Sequence, residues 1–208
     1  MQKKSTSLKG DIISMTKSKH ITTKKLVLTA MFTAIICVMS QIVIPIQPIP
    51  FTLSLLAIFL TGALLEPKYA FLATLAYLLL GAFGLPVFAG LKGGIHVLTG
   101  MTGGYIVAYP IMAFITSLSY QMSSKVKATS PIKNISLIAI PTIGMVFSLF
   151  VCYLIGTLWF SHVSESTFTY ALSVCVIPFV AFDLIKIILS IVLGAVLRRA
   201  TRHILIAG

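Results

Sequence analysis

Asp183 and Lys186 stand three residues apart in the stretch from Ala171 to Leu197, ALSVCVIPFVAFDLIKIILSIVLGAVL, where a cysteine is the only other ionisable side chain. On a helix that spacing projects both groups from nearly the same face. A charge inside a bilayer is costly, so such residues face a cavity, pair with one another and mark a solute path. The carboxylate accepts hydrogen bonds through both oxygens and the ammonium offers three donors. Together they suit a ligand that carries N–H donors and either a carbonyl or a carboxylate. An ion pair kept for structure alone is a poor use of the position, because buried pairs add little net stability and apolar substitutes are often better.

The elements that must position this couple are irregular. Eight of the fourteen glycines fall between Gly81 and Gly104, in GAFGLPVFAGLKGGIHVLTGMTGG. Glycine permits positive φ and close backbone approach, and Pro86 fixes a further bend. Non-helical backbone at a membrane is tolerated where it is buried in protein or lines a cavity, so this segment is expected to fold back as a lid or wall. The turn from Ile46 to Thr52 is proline-rich and apolar, and Pro178 marks the start of the segment that carries Asp183. Three irregular segments on one side predict a small-molecule pocket that opens outward around the couple. Phe51, Phe88, Tyr105 and Phe179 are candidates to pack a flat apolar ring. Lys92 is placed to draw in an anionic substrate, and His96 is a polar loop residue.

The chain has 208 residues, 58% of them hydrophobic and 10% charged. Soluble domains carry about 25% charged residues, so the composition is that of an integral membrane protein. The apolar runs predict an all-α integral membrane protein with six transmembrane helices, at 26–44, 51–65, 69–83, 103–122, 135–160 and 176–198. A basic, poorly ordered segment, 1–25, precedes the membrane domain at 26–199, and a tail at 200–208 follows. The second and third helices are short for a span of roughly 20 residues.

The net charge of +12 is distributed asymmetrically. Lys3, Lys4, Lys9, Lys17, Lys19, Lys24 and Lys25 precede the first helix, and Lys68 lies between the second and third. Lys125, Lys127 and Lys133 lie between the fourth and fifth, and Arg198, Arg199 and Arg202 follow the sixth. All fourteen fall on one side of the six-helix scheme, against Lys92 alone on the other. That asymmetry places both termini in the cytoplasm of a plasma-membrane protein, and it assigns the basic residues to topology and anionic lipid heads rather than to nucleic acid. Cys37 and Cys152 fall within predicted helical segments, Cys175 borders the sixth, and all three read as small apolar packers. There is no G-x-x-x-x-G-K-[ST] loop, no HExxH and no G-x-S-x-G, so no enzyme, cofactor or metal chemistry is indicated. Ala30 and Ala34, four apart, permit close approach by another helix.

An ordered set of short motifs resembles the biotin transporter family, the substrate-binding component of energy-coupling-factor vitamin transporters. The set comprises Pro48-Ile49-Pro50-Phe51-Thr52-Leu53, Gly84-Leu85-Pro86-Val87-Phe88, Gly93-Gly94, Thr102-Gly103-Gly104-Tyr105, Ile177-Pro178-Phe179 and Asp183-Leu184-Ile185-Lys186. The likeness runs from about Leu26 to Arg199. Met101 stands where a proline usually precedes TGGY, and Ala181-Phe182 stand where Pro-Gly often precedes the aspartate. The resemblance implies a six-helix binding protein that captures biotin, whose ureido ring, thioether ring and anionic tail match the chemistry above. It implies that Asp183 accepts from a ureido N–H and that Lys186 donates to a biotin oxygen, either the carbonyl or the carboxylate. In the first case Lys92 holds the tail. Gly93, Gly94, Gly103 and Gly104 would bring backbone amides close, and Phe51, Thr52, Phe88 and Tyr105 would line the bicycle. Ala30 and Ala34 would dock a transmembrane coupling protein, which recruits two ATP-binding-cassette ATPases. The same scaffold for another vitamin, or a self-sufficient ion-coupled transporter with Asp183 as proton carrier, are the alternative readings.

Overall fold

The computed structural model describes residues 23–46, 49–126 and 131–200. The basic segment expected over 1–25 lies outside these residues up to position 22, as do Gln47, Pro48 and the tail from 201. The described residues form eight helices and one two-stranded ladder. Helix α1 covers 23–39. Strands β1 (Val43–Ile44) and β2 (Phe51–Thr52) follow, then α2 (Ser54–Leu64), α3 (Pro67–Ala82), α4 (Ile95–Thr99), α5 (Gly103–Lys125), α6 (Pro131–Val163), α7 (Phe168–Cys175) and α8 (Ile177–Ala200).

The first apolar run predicts a helix over 26–44, but α1 ends at 39. Pro45 disfavours the α region for Ile44, and Val43 and Ile44 instead pair antiparallel with Thr52 and Phe51. The second helix therefore starts at Ser54 rather than at 51. Pro67 at the first position opens α3, where its missing N–H costs nothing. Helices α5, α6 and α8 extend the predicted segments by a few residues at their ends. Two short helices go beyond the expected six. One is α4, in the glycine-rich loop. The other is α7, begun where the Thr167 hydroxyl accepts from the Tyr170 amide at 3.4 Å.

The brevity of α2 has a physical reason. Its 11 residues span only about 16 Å, yet nine of them are buried, from Ser54 and Leu56 to Ala63 and Leu64. A helix that is apolar all round belongs in a core, and α2 is a strut inside the bundle, packed on α5 and α8. It needs no match to the bilayer thickness. Carbonyls at its C-terminal end would be orphaned in apolar surroundings. Arg198 Nε donates to the Ala63 carbonyl at 2.6 Å and the Ser117 hydroxyl to the Leu65 carbonyl at 2.5 Å. The Arg198 guanidinium also lies 4.4 Å from the Tyr120 ring centroid.

Helices α6 and α8 are each long and apolar enough to cross a membrane. Their outward residues are apolar and exposed, among them Ile143, Phe147 and Phe150 on α6 and Ile188, Val192 and Val196 on α8. Polar residues such as Thr61, Thr116, Ser148 and Thr157 are buried inside. An apolar exterior around a polar-flecked interior is the arrangement of a helical membrane protein.

The bundle has two chemically distinct ends. At one, Lys25 pairs with Glu66 at 2.7 Å and the Ser123 hydroxyl donates to the Ser136 carbonyl at 3.0 Å, beside the Arg198 contacts. At the other lie the β1–β2 hairpin, the glycine-rich loop and α7, and there Trp159 Nε1 of α6 donates to the Gly100 carbonyl of the loop at 2.9 Å.

Candidate functional site

Helix α8 turns a narrow stripe inward: Phe179, Asp183, Lys186, Ile187, Ser190 and Gly194. The i, i+3, i+4 spacing of that stripe is what brings the acid and the base to the same interior face. Asp183 is 2% exposed and Lys186 3%. Lys186 Nζ donates to Asp183 Oδ1 at 2.7 Å. The Tyr153 hydroxyl, from α6, donates to Asp183 Oδ2 at 2.5 Å. A carboxylate with four lone-pair sites thus keeps acceptor capacity on each oxygen. The ammonium sits 3.8 Å from the centroid of the Phe51 ring, within the range of a cation–π contact. Phe51 in turn stacks on Phe179, centroids 6.4 Å apart and 7° between planes, and meets Phe182 edge-on at 5.3 Å.

The irregular segments predict a pocket open to the exterior, and the structure differs. Strand β2 lays Phe51 directly on the ammonium, and the couple is closed from solvent. A ligand gains the charged groups only when the covering side chains move.

A second chain of contacts leads away from the couple. The Thr52 and Ser54 hydroxyls lie 2.6 Å apart, and Ser54 lies 3.4 Å from the Tyr109 hydroxyl. Tyr109 stacks on Tyr77 at 6.5 Å, and Tyr77 meets Phe88 edge-on at 5.5 Å. Phe88 is buried, its ring filling the space that a side chain on Gly81 would take. Phe51, Thr52 and Phe88 are therefore linked to one network. Tyr105 sits instead at the seam between α5 and α6, its ring against Gly156 and its hydroxyl 3.2 Å from that of Thr157. Lys92 pairs through its backbone with Phe88, in both directions, and its side chain is exposed.

The glycines serve packing more than amide display. A Cβ on Gly93 would strike the Leu85 carbonyl, one on Gly103 the Leu98 carbonyl, and one on Gly104 the Trp159 side chain. Gly94 adopts φ 102°, and its amide is already donated to the Gly81 carbonyl at 2.7 Å. The Gly103 amide is likewise donated to Gly100, at 3.0 Å. Two of the four amides expected to approach a ligand are thus engaged within the protein. Gly103→Ala should destabilise the fold by about 3 kcal/mol, since backbone rather than a flexible side chain must yield. Gly100→Ala, in extended backbone with more room, should stay within about 1 kcal/mol. Thermal unfolding of both variants in detergent checks the contrast.

Gln41 and Tyr153 are the site-region residues that motif reading misses. Gln41 is a lone amide at the end of an apolar run, just before prolines, and Tyr153 is a polar-tipped aromatic in an apolar helix. On α1 the buried side chains are Thr29, Phe32, Thr33 and Ile36, with Ser40 buried just past its end, and Thr33 donates to the Ala73 carbonyl of α3 at 3.0 Å. Ala30 and Ala34 lie on the opposite, exposed face with Val27, Met31 and Val38. Cys37, Cys152 and Cys175 are free thiols, the last two buried.

Fold and site together define a helical membrane protein that encloses an acid–base couple beneath aromatic rings at one end of its bundle. Comparison with known proteins narrows the class. The chain belongs to the BioY family, whose sequence model matches residues 14–203. It is 36% identical over 171 residues to the probable biotin transporter BioY of Pyrococcus horikoshii, covering 82% of this chain and 94% of that one. It is 36% identical to the biotin transporter BioY of Thermotoga maritima, over 85% of this chain and 96% of that one. Biotin transporter BioY2 of Lactococcus lactis is 38% identical, over 86% and 92%. Among solved structures, the S-component for biotin from an ECF-type ABC transporter superposes with a TM-score of 0.72 at 29% identity. That match covers 86% of this chain and 92% of the other.

Proposed function

We propose that this chain is the biotin-binding subunit of a vitamin uptake transporter, energised by a transmembrane coupling protein and two partner ATPases. The observation that carries the reading is the Tyr153–Asp183–Lys186 cluster, buried in a membrane bundle of the BioY family and roofed by Phe51 and Phe179. Biotin supplies what the cluster lacks. Its ureido N–H groups find the spare acceptor capacity of Asp183, and a biotin oxygen takes a donor from Lys186. The fused ring replaces Phe51 against the ammonium, with Phe88 and Thr52 on the neighbouring wall. Tyr105, Gly93, Gly94, Gly103 and Gly104 shape the surrounding backbone, and Lys92 receives the carboxylate tail when Lys186 holds the carbonyl.

In this reading α1, α2, α3, α5, α6 and α8 are the six transmembrane segments of a plasma-membrane protein, with α2 crossing inside the protein. The hairpin, the glycine-rich loop and α7 lie outside, and both termini are cytoplasmic. The end bearing Lys25, Lys68, Lys125 and Arg198 faces inward, as the positive-inside rule requires. Exposed Ala30 and Ala34 offer the coupling protein a surface on which helices approach closely.

Titration calorimetry of the purified chain with biotin, riboflavin and thiamin tests the substrate. Saturable binding of biotin and none of the other two is expected. A preference for riboflavin or thiamin overturns the assignment.

A further inference from the structure

The side chain of Gln41 makes contacts out of proportion to its size. Its amide nitrogen approaches four carbonyls: Cys37 at 3.3 Å on its own helix, and Pro86, Val87 and Phe88 at 3.4, 2.9 and 3.2 Å in the glycine-rich loop. Its amide oxygen accepts from the Leu91 amide at 2.9 Å. The loop it grips holds strained backbone, with Leu91 at φ 57° and Gly90 at φ 72°. Such conformations persist only where the surroundings hold them. One short bridge between Phe88 and Lys92 closes this turn, so the Gln41 amide is a main tie from the turn to the rest of the fold.

Gln41 is also the root of the other outer segment. Two residues further on, β1 pairs with β2, Val43 against Thr52 and Ile44 against Phe51, and the Leu53 amide donates to the Ile42 carbonyl at 3.2 Å. Strand β2 is what holds Phe51 on the Lys186 ammonium. The same few residues therefore grip the glycine-rich loop through a side chain and the Phe51 strand through the backbone.

We propose that Gln41 is a positioning residue that latches the hairpin and the glycine-rich loop into one lid, and thereby sets how long a ligand stays on Asp183 and Lys186. The inference rests on the biotin-binding reading for its ligand. Gln41 touches no ligand itself. It acts through Phe51, whose ring lies on the Lys186 ammonium, and through Phe88, which joins the neighbouring wall by way of Tyr77 and Tyr109. Loss of the latch leaves the Gly94–Gly81 and Trp159–Gly100 hydrogen bonds further along the loop, but frees the turn at 86–91 and loosens the root from which β1 starts.

The test uses the full-length protein in detergent or nanodiscs, with Gln41→Ala and Gln41→Glu. The glutamate has the same shape and still accepts from Leu91, but at neutral pH it presents an anion to three carbonyl oxygens. If packing alone mattered, it would behave as the wild type. Amide hydrogen exchange without ligand should rise in peptides covering both 43–53 and 85–92 in either variant. Radiolabelled biotin should leave each variant about tenfold faster, as expected for one or two lost hydrogen bonds, while the fraction of protein able to bind stays unchanged. Faster exchange in the loop alone, or an unchanged dissociation rate, overturns the latch. So does a wild-type rate in Gln41→Glu beside a fast one in Gln41→Ala. If Gln41→Ala does not fold, Gln41→Asn is read in its place, its amide one methylene short of the loop. Should the wild type fail to retain biotin, the functional assignment falls, and the two-segment exchange pattern still decides the latch.

Discussion

Asp183→Asn should weaken biotin binding by roughly ten- to a hundredfold, the range for a hydrogen bond to a charged group of about 1.5–3 kcal/mol. The substitution keeps the shape of the side chain. It removes the anion that accepts from Tyr153 and Lys186, and it turns one acceptor into a donor where the proposed contact needs an acceptor for a ureido N–H. It also leaves the Lys186 ammonium enclosed without its counter-charge, a change that destabilises buried pairs by about 3–5 kcal/mol. Calorimetric affinity and thermal unfolding should both fall. Tyr153→Phe separates the two effects, because the charge pair survives while one hydrogen bond is lost. Its affinity should drop only about two- to tenfold. An Asp183→Asn protein with native affinity would reduce the carboxylate to a counter-ion for Lys186.

Ala30→Leu or Ala34→Leu should abolish partner-dependent uptake of biotin and leave its binding untouched. Both residues are on the exposed face of α1, turned away from the Thr29–Ser40 side that packs on the bundle. Both positions are exposed among the described residues, so stability should change by less than about 0.5 kcal/mol. On a surface where small residues set how closely a second helix approaches, the added side chain holds the partner away. Uptake by cells that co-express the coupling protein and ATPases, beside calorimetry on the purified variants, checks both halves. Retained uptake would move the docking surface off this face.

The parts of the site that were legible in the sequence are those with a cost attached. A carboxylate and an ammonium in an apolar run announce themselves because their burial is expensive, and the structure places them together and enclosed. Apolar length located the longer helices in the same way but not the short α4 and α7, and the irregular segments read from glycine and proline do gather at one end. The hairpin was hidden because Val43, Ile44, Phe51 and Thr52 suit a membrane helix by composition. Only Pro45 and the chain reversal decide otherwise. Tyr153 and Gln41 were hidden for a different reason. Each is an ordinary residue whose role is set by a partner 30 to 50 positions away, and no local pattern encodes that distance. The glycines were visible as a cluster, but what they make room for depends on the neighbour each one meets.

The contacts of α8 at its two ends constrain how the protein can work. Arg198 is fastened to the last turn of α2, and Lys186, about 18 Å along the same axis, lies under the ring carried by the strand that leads into α2. The final helix is thus pinned to one chain segment at top and bottom. Sliding or rotating α8 against α2 would break the Arg198 hydrogen bond to Ala63. The Phe51 ring can leave the ammonium without disturbing the Arg198 anchor, so uncovering the couple does not require α8 to give up its register on α2.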